Sequence, residues 1–286
     1  MALPITSELV DEAAAQLAGG GWRYTPRQLY YASCAAAEAP PVSARSMSSG
    51  VIGFGIIFLL IGLIVISHRI AFITLLSVAG LLILIGLVER MRPRPVLFGR
   101  VLAISYTDFM DRFGTRPRDG LIDLAAPHPP SWMLAGADPI VVCDMVETAA
   151  LVNANTNNAG LASVVAVHAA SLPDPLPVAQ VIALHDASPA GCALPVHLRD
   201  AGVDRVIDAG IRPESVAAGR YQVIEGAPAR MPTDLSGVLA AAEIDWLRSG
   251  RRLEVAVFSP EHVLGLVAAV LPDAGERLNP DIAASG

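Results

Sequence analysis

Two long uncharged runs limit what this chain can fold into. Residues 46–67 and 70–88 contain no Asp, Glu, Lys or Arg, and only His68 and Arg69 part them. At about 1.5 Å of rise per residue, each run reaches across the roughly 30 Å of bilayer hydrocarbon that about 20 residues span. Backbone donors and acceptors in lipid have to pair within the segment, so each run is predicted to be a helix. Together they predict a two-helix transmembrane hairpin over residues 46–90. A soluble core is a poor alternative, because two uncharged runs of this length exceed what a domain of this size packs. Arg90, Arg92, Arg94 and Arg100 follow the second run and Arg45 precedes the first, whereas the turn offers Arg69. Positive residues favour the cytoplasmic side, which predicts an inner, cytoplasmic-membrane protein with both termini in the cytoplasm and the lipid bilayer as its first partner. A cleaved signal peptide fits badly, since the first run begins some 45 residues in and a second follows at once.

Charge then separates the two ends of the chain. Every basic residue is arginine, with 12 Arg against 22 acids after Arg100, but 8 Arg against 5 acids up to that point. So acidic a body repels nucleic-acid phosphates unless its arginines gather on one face. The arginines beside the hairpin suit anionic headgroups. Cys34, Cys143 and Cys192 are far apart and lack a CxxC pair, which argues against a disulfide framework or a zinc site.

The first 45 residues read as a short helical segment on the cytoplasmic side. Leu9, Val10, Ala13 and Leu17 make an apolar stripe that Gly19, Gly20 and Gly21 stop. Thr25, Pro26 and Gln28 then form a second helix start, with the cap, first-turn proline and capping-box glutamine in their usual places. Residues 91–136 read as a juxtamembrane linker. Regular structure is predicted over 137–272, where apolar runs at 140–143, 164–168, 181–184 and 205–207 alternate with helical segments at 145–154 and 189–201. Continuous apolar strands between helices predict a parallel sheet covered on both faces, an α/β domain. Residues 235–246 read as a further helix, 253–258 as a strand, 260–270 as a helix capped by Ser259, and 273–286 as a loose tail.

Ligands of such sheets bind beyond the carboxyl ends of the strands, where Asp144 and Asp186 fall. The stretch His185-Asp186-Ala187-Ser188 with its flanks at 183–191 resembles the Asp-x-Asp strand end of Toprim domains, above all those of the DNA topoisomerase VI A-subunit group. Ile140-Val141-Val142-Cys143-Asp144 is similar to the first Toprim strand, and Gly210-Ile211-Arg212-Pro213 to the Gly-Leu-x-Pro segment that often follows. Arg27-Gln28-Leu29-Tyr30-Tyr31 resembles the Arg-x-x-Tyr-Tyr helix of the same group. The resemblance covers about residues 25–31 and 138–216, with a faint echo through 252–271. It implies a Toprim-like α/β domain, Mg²⁺ held by Asp144 and Asp186, Tyr31 as the residue that attacks DNA, and a homodimer. Glu147, three residues into the following helix and outside the family's pattern, is the candidate for a third carboxylate.

Two departures set the functional expectation. Ser188 stands where the second Asp belongs, and Asp144, one methylene shorter, stands where the family has Glu. A hard cation wants several carboxylate oxygens, so the expected metal site is weak. Ser188 before Pro189 is also an ordinary helix cap. His168 and His185 read as hydrogen-bonded structural histidines, and Arg212 and Arg220 as salt-bridging residues. The leading expectation is a membrane-anchored binding or signalling module with little or no catalysis. The alternatives are a metal-dependent DNA transesterase or nuclease using Tyr31, and a membrane scaffold that docks protein partners.

Overall fold

The computed structural model describes residues 4–37, 104–114, 116–125, 139–172, 180–218, 221 and 223–271. The two uncharged runs, the proposed hairpin built from them, Arg220 and the tail over 273–286 lie outside the described residues. Among the described residues no helix is long and apolar enough to cross a membrane. The chain divides into two compact units, and all described residues belong to the one formed by Pro4–Ala37 and Phe98–Gly286.

The centre of this unit is a four-stranded parallel sheet. Its strands are β1 (Ile140–Cys143), β2 (Val165–His168), β3 (Gln180–Leu184) and β4 (Arg205–Asp208), in the spatial order β2-β1-β3-β4. The chain leaves β1 toward one edge and returns on its other side at β3, so the strand order reverses between β1 and β3. Cys143 registers with Leu184 across that junction, placing Asp144 and Asp186 side by side at the carboxyl ends. The expected parallel α/β architecture is present.

Side chains alternate across each strand, and both faces are covered. Val141, Cys143, Ile182 and Leu184 face the larger core, where residues of α4 (Val146–Asn155) and the C-terminal helix over Pro260–Ala269 pack. Ile140, Val142, Val181 and Ala183 face Leu194 and Leu198 of α5 (Pro189–Asp200). Each buried Val, Leu or Ile among these contributes roughly 1.5–3 kcal/mol by leaving water. At the β2 edge, Asn153 copies a neighbouring strand. Its Nδ2 donates to Ala166 O at 2.7 Å, and its Oδ1 accepts from Ala166 N at 2.8 Å. An edge paired in this way is closed to other chains at that residue.

The N-terminal helices are packed into the same unit. Helices α1 (Ser7–Leu17) and α2 (Pro26–Ala37) pair, and Val10, Tyr24, Leu29, Tyr30, Tyr31 and Phe109 share one core. The predicted capping box is formed, with Gln28 N donating to Thr25 Oγ1 at 3.2 Å and Thr25 N to Gln28 Oε1 at 3.0 Å. Residues 91–136 were expected to be a linker, yet their described part is structured. Helix α3 (Tyr106–Phe109) runs into a π-helical turn over Met110–Gly114, and Leu121 bridges to Tyr24. Burial of Phe109 and Ile122 gives this segment its reason to fold.

Two C-terminal elements differ from expectation. Instead of one helix over 235–246, a 3₁₀ turn at Thr233–Gly237 precedes α7 (Ala241–Arg248), and α6 (Pro213–Ala218) packs near it. The break follows Gly237, and the Glu243 carboxylate restarts the helix by accepting from Ala240 N at 2.9 Å. The expected strand over 253–258 is a 3₁₀ turn at Val255–Val257, while β5 (Ile224–Glu225) and β6 (Arg251–Arg252) form a short antiparallel ribbon just before it. Apolar content made this stretch look like a strand, but the Asp186 carboxylate takes the Val255 backbone N–H. The last described helix, α8 (Pro260–Ala269), is capped by Ser259 as expected, with the Ser259 hydroxyl accepting from His262 N at 3.3 Å.

Candidate functional site

Four separate parts of the chain meet beyond the carboxyl ends of β1 and β3. Asp144 arrives from β1, Glu147 from the first turn of α4, and Asp186 from the turn after β3. Glu254 arrives through an antiparallel bridge in which Ala187 N donates to Leu253 O at 2.9 Å and Leu253 N to Ala187 O at 3.2 Å. Helix α2 lies over this corner, held by Gln28, whose Nε2 donates to Phe258 O at 2.9 Å, and by Asn155, whose amide exchanges hydrogen bonds with Arg23 N and Arg23 O at 2.8 Å each.

Among the described residues, Arg27 is the one arginine placed among these acids. Its Nη1 donates to Glu254 Oε2 at 3.1 Å, its Nε points at Glu147 Oε1 at 3.5 Å, and its face rests 4.5 Å from the Tyr106 ring centre. Burial opposes its charge, but Glu254 and Glu147 outweigh that cost and hold the guanidinium more firmly protonated than usual. Burial raises the Glu147 pKa, with Arg27 pulling it back. The Tyr106 phenol is pushed up to about 12, chiefly by burial and then by the nearby Glu147 charge.

Asp144 and Asp186 form the second half of the corner. Asp186 N donates to Asp144 Oδ2 at 3.0 Å, and Asp186 Oδ1 accepts from Val255 N at 2.6 Å. That last bond draws Val255 into its tight turn. Burial raises the pKa of both acids, and for Asp186 the neighbouring Asp144 charge raises it further, as expected of two carboxyls confined together. Asp144 Oδ1 and Glu147 Oε2 are buried without a hydrogen-bond partner among the described residues. A cavity of about 10 Å³ opens between Thr25, Arg27, Glu147, Asp186 and Glu254, room for about one water.

Asp186 meets Asp144 through its backbone N–H, Glu147 and Asp186 line the same cavity, and Tyr31 lies near Glu254, whose charge acts on its phenol. Tyr31 is 3 % exposed, and burial first, then Glu254, raises its pKa, which keeps the phenol protonated. One oxygen each of Asp144 and Asp186 is committed to a backbone N–H, Glu147 and Glu254 face Arg27, and among the described residues no group of three metal-ligating side chains converges. Mg²⁺ takes six oxygens in near-octahedral geometry, several of them usually from water.

The flanking residues behave structurally. The Ser188 hydroxyl caps α5 by accepting from Gly191 N at 3.0 Å. His168 Nε2 lies 3.2 Å from Asp144 O, and His185, 1 % exposed, sits between Asp186 O at 2.9 Å and Asp208 Oδ1 at 3.1 Å. Arg212 reaches Asp208 and Glu214.

No family model, no curated protein and no solved structure matches this chain. The residues themselves therefore carry the functional reading. Sequence reasoning missed the roles of Arg27, Tyr106 and Glu254. An acid set into the apolar run over 253–258 was the available signal for Glu254.

Proposed function

We propose that this chain is a membrane-anchored, Toprim-like binding or signalling module that performs little or no catalysis. The observation that carries the reading is Arg27. Its guanidinium lies between Glu147 and Glu254, supplying from within the chain the positive charge that a carboxylate cluster otherwise draws from a metal ion. A fixed internal cation lowers the electrostatic drive for a second one. The small cavity and the buried phenol of Tyr31 point the same way, since a phosphodiester needs open space beside its attacking oxygen. Anchoring rests on the two uncharged runs and the arginines that flank them.

The test is calorimetric titration of the detergent-solubilised full chain with Mg²⁺ and Mn²⁺. The expected result is no saturable heat at millimolar metal. Saturable binding that Asp186→Ala abolishes would overturn the reading in favour of an enzyme.

One observation favours the second reading, a metal-dependent DNA transesterase or nuclease. Tyr31 and the strand-end acids share one corner through Glu254, as a nucleophile and its supporting groups would. That reading requires α2 to lift and requires a covalent DNA adduct that Tyr31→Phe removes. Incubation of plasmid DNA with the solubilised chain and Mn²⁺, followed by a search for nicking and for protein-linked DNA, decides it.

A further inference from the structure

Arginines collect on the β5–β6 ribbon although the chain after Arg100 is acidic. Glu225 registers with Arg251 and Ile224 with Arg252 across the ribbon. Gly226 N donates to Gly250 O at 2.9 Å, and Ala229 N to Arg248 O at 3.1 Å, which sets Arg230 next to the end of α7. The backbones press so closely that a Cβ on Gly250, at φ +87°, would run into Gly226 O and the Ala227 backbone. Four arginines are thus held on one tight loop pair.

Their charge is only partly answered. Arg248 pairs with Asp245 at 2.6 Å and Arg251 faces Glu225, while Arg230 and Arg252 are exposed and no ion pair joins either to an acid among the described residues. Exposed Ala227 and Pro228 and half-buried Met231 lie between the arginines. Arginine interleaved with small apolar residues suits the boundary between phosphate headgroups and acyl chains.

We propose that this ribbon docks on the anionic headgroups of a bilayer. The inference rests on the membrane-anchored reading. A net excess of about two positive charges on an acidic body is too little to hold a free polyanion such as nucleic acid. It suffices for a chain already tethered to the surface, because tethering makes the second contact intramolecular.

The experiment uses the full chain in lipid nanodiscs, of phosphatidylcholine alone or mixed with phosphatidylglycerol, and reads amide hydrogen exchange over residues 224–230 and 248–252. Exchange there is expected to slow about 3- to 10-fold in the anionic discs. The protection is expected to vanish in high salt, and in the double variant Arg230→Ser, Arg252→Ser, whose melting stays unchanged. Equal exchange in both kinds of disc with the chain embedded overturns the docking surface and leaves anchoring intact. A chain that does not enter discs at all overturns both. Protection of the same residues by added duplex or single-stranded DNA, without any lipid effect, overturns the proposal in favour of a nucleic-acid surface.

Discussion

The Arg27 guanidinium lies 3.1 Å from the Glu254 carboxylate, although 227 positions separate the two in the chain. Glu254 and Glu147 keep only 13 % and 16 % of their side-chain surface exposed, so removing the arginine leaves two poorly hydrated negative charges facing each other. Arg27→Met is expected to destabilise the unit by about 3 kcal/mol, toward the lower end for a broken buried pair because water still reaches these groups. Adding Glu147→Gln and Glu254→Gln to that variant is expected to recover most of the loss. Urea unfolding followed by circular dichroism, run as a mutant cycle, measures both.

Asp144 and Asp186 give the fold a pH dependence of known sign. Burial raises both carboxyls above the unfolded value near 3.9. The folded state therefore holds protons more tightly than the unfolded one. The stability this provides is complete below about pH 4 and is lost as pH rises through the raised values. Asp186→Asn keeps an oxygen for Val255 N and removes the charge. Its melting temperature is expected to exceed that of the wild type at pH 8, with the difference closing by pH 4. Comparing the two chains cancels Asp208, which acts with the opposite sign: burial would raise its pKa, but His185, the Gly210 N–H and Arg212 together outweigh burial and lower it.

Gly210 sits against His185 with no room for a side chain. A Cβ there would strike the imidazole ring and push it from Asp208. Gly210→Ala is expected to cost about 1–3 kcal/mol, the usual range for overpacking. Thermal melting gives the cost, and a shifted His185 ring resonance in NMR spectra shows where it falls.

Asn153 closes the free edge of the sheet at Ala166. Asn153→Ala removes both bonds and leaves a strand donor and acceptor to seek other partners. The expected outcome is a loss of about 1–3 kcal/mol and concentration-dependent association. Melting and size-exclusion chromatography at several concentrations check the two effects.

The sheet was legible because its signal is local. Four short apolar runs spaced by helical segments predict a parallel sheet covered on both faces, and the Thr25 and Gln28 capping box can be read from four consecutive residues. Asp144 and Asp186 were legible for a related reason, since topology alone places the residues that follow β1 and β3 together. The turn at Val255–Val257 was not, because it depends on the Asp186 carboxylate, 69 positions away, accepting from Val255 N. The helix break after Gly237 was missed although Glu243 reaches Ala240 N three positions back, because alanine at the cap carries no side-chain signal.

By itself the sequence determined the uncharged runs with their arginine flanks, the acidic character of the chain after Arg100 and the order of strands and helices, because hydrophobicity and charge are summed over neighbouring residues. Only the tertiary structure decided that α2 lies on the strand ends and that Arg27 faces Glu147 and Glu254 there. An ion pair between distant residues leaves no periodic trace in the chain. It exists only once packing has brought both charges into the same poorly hydrated corner.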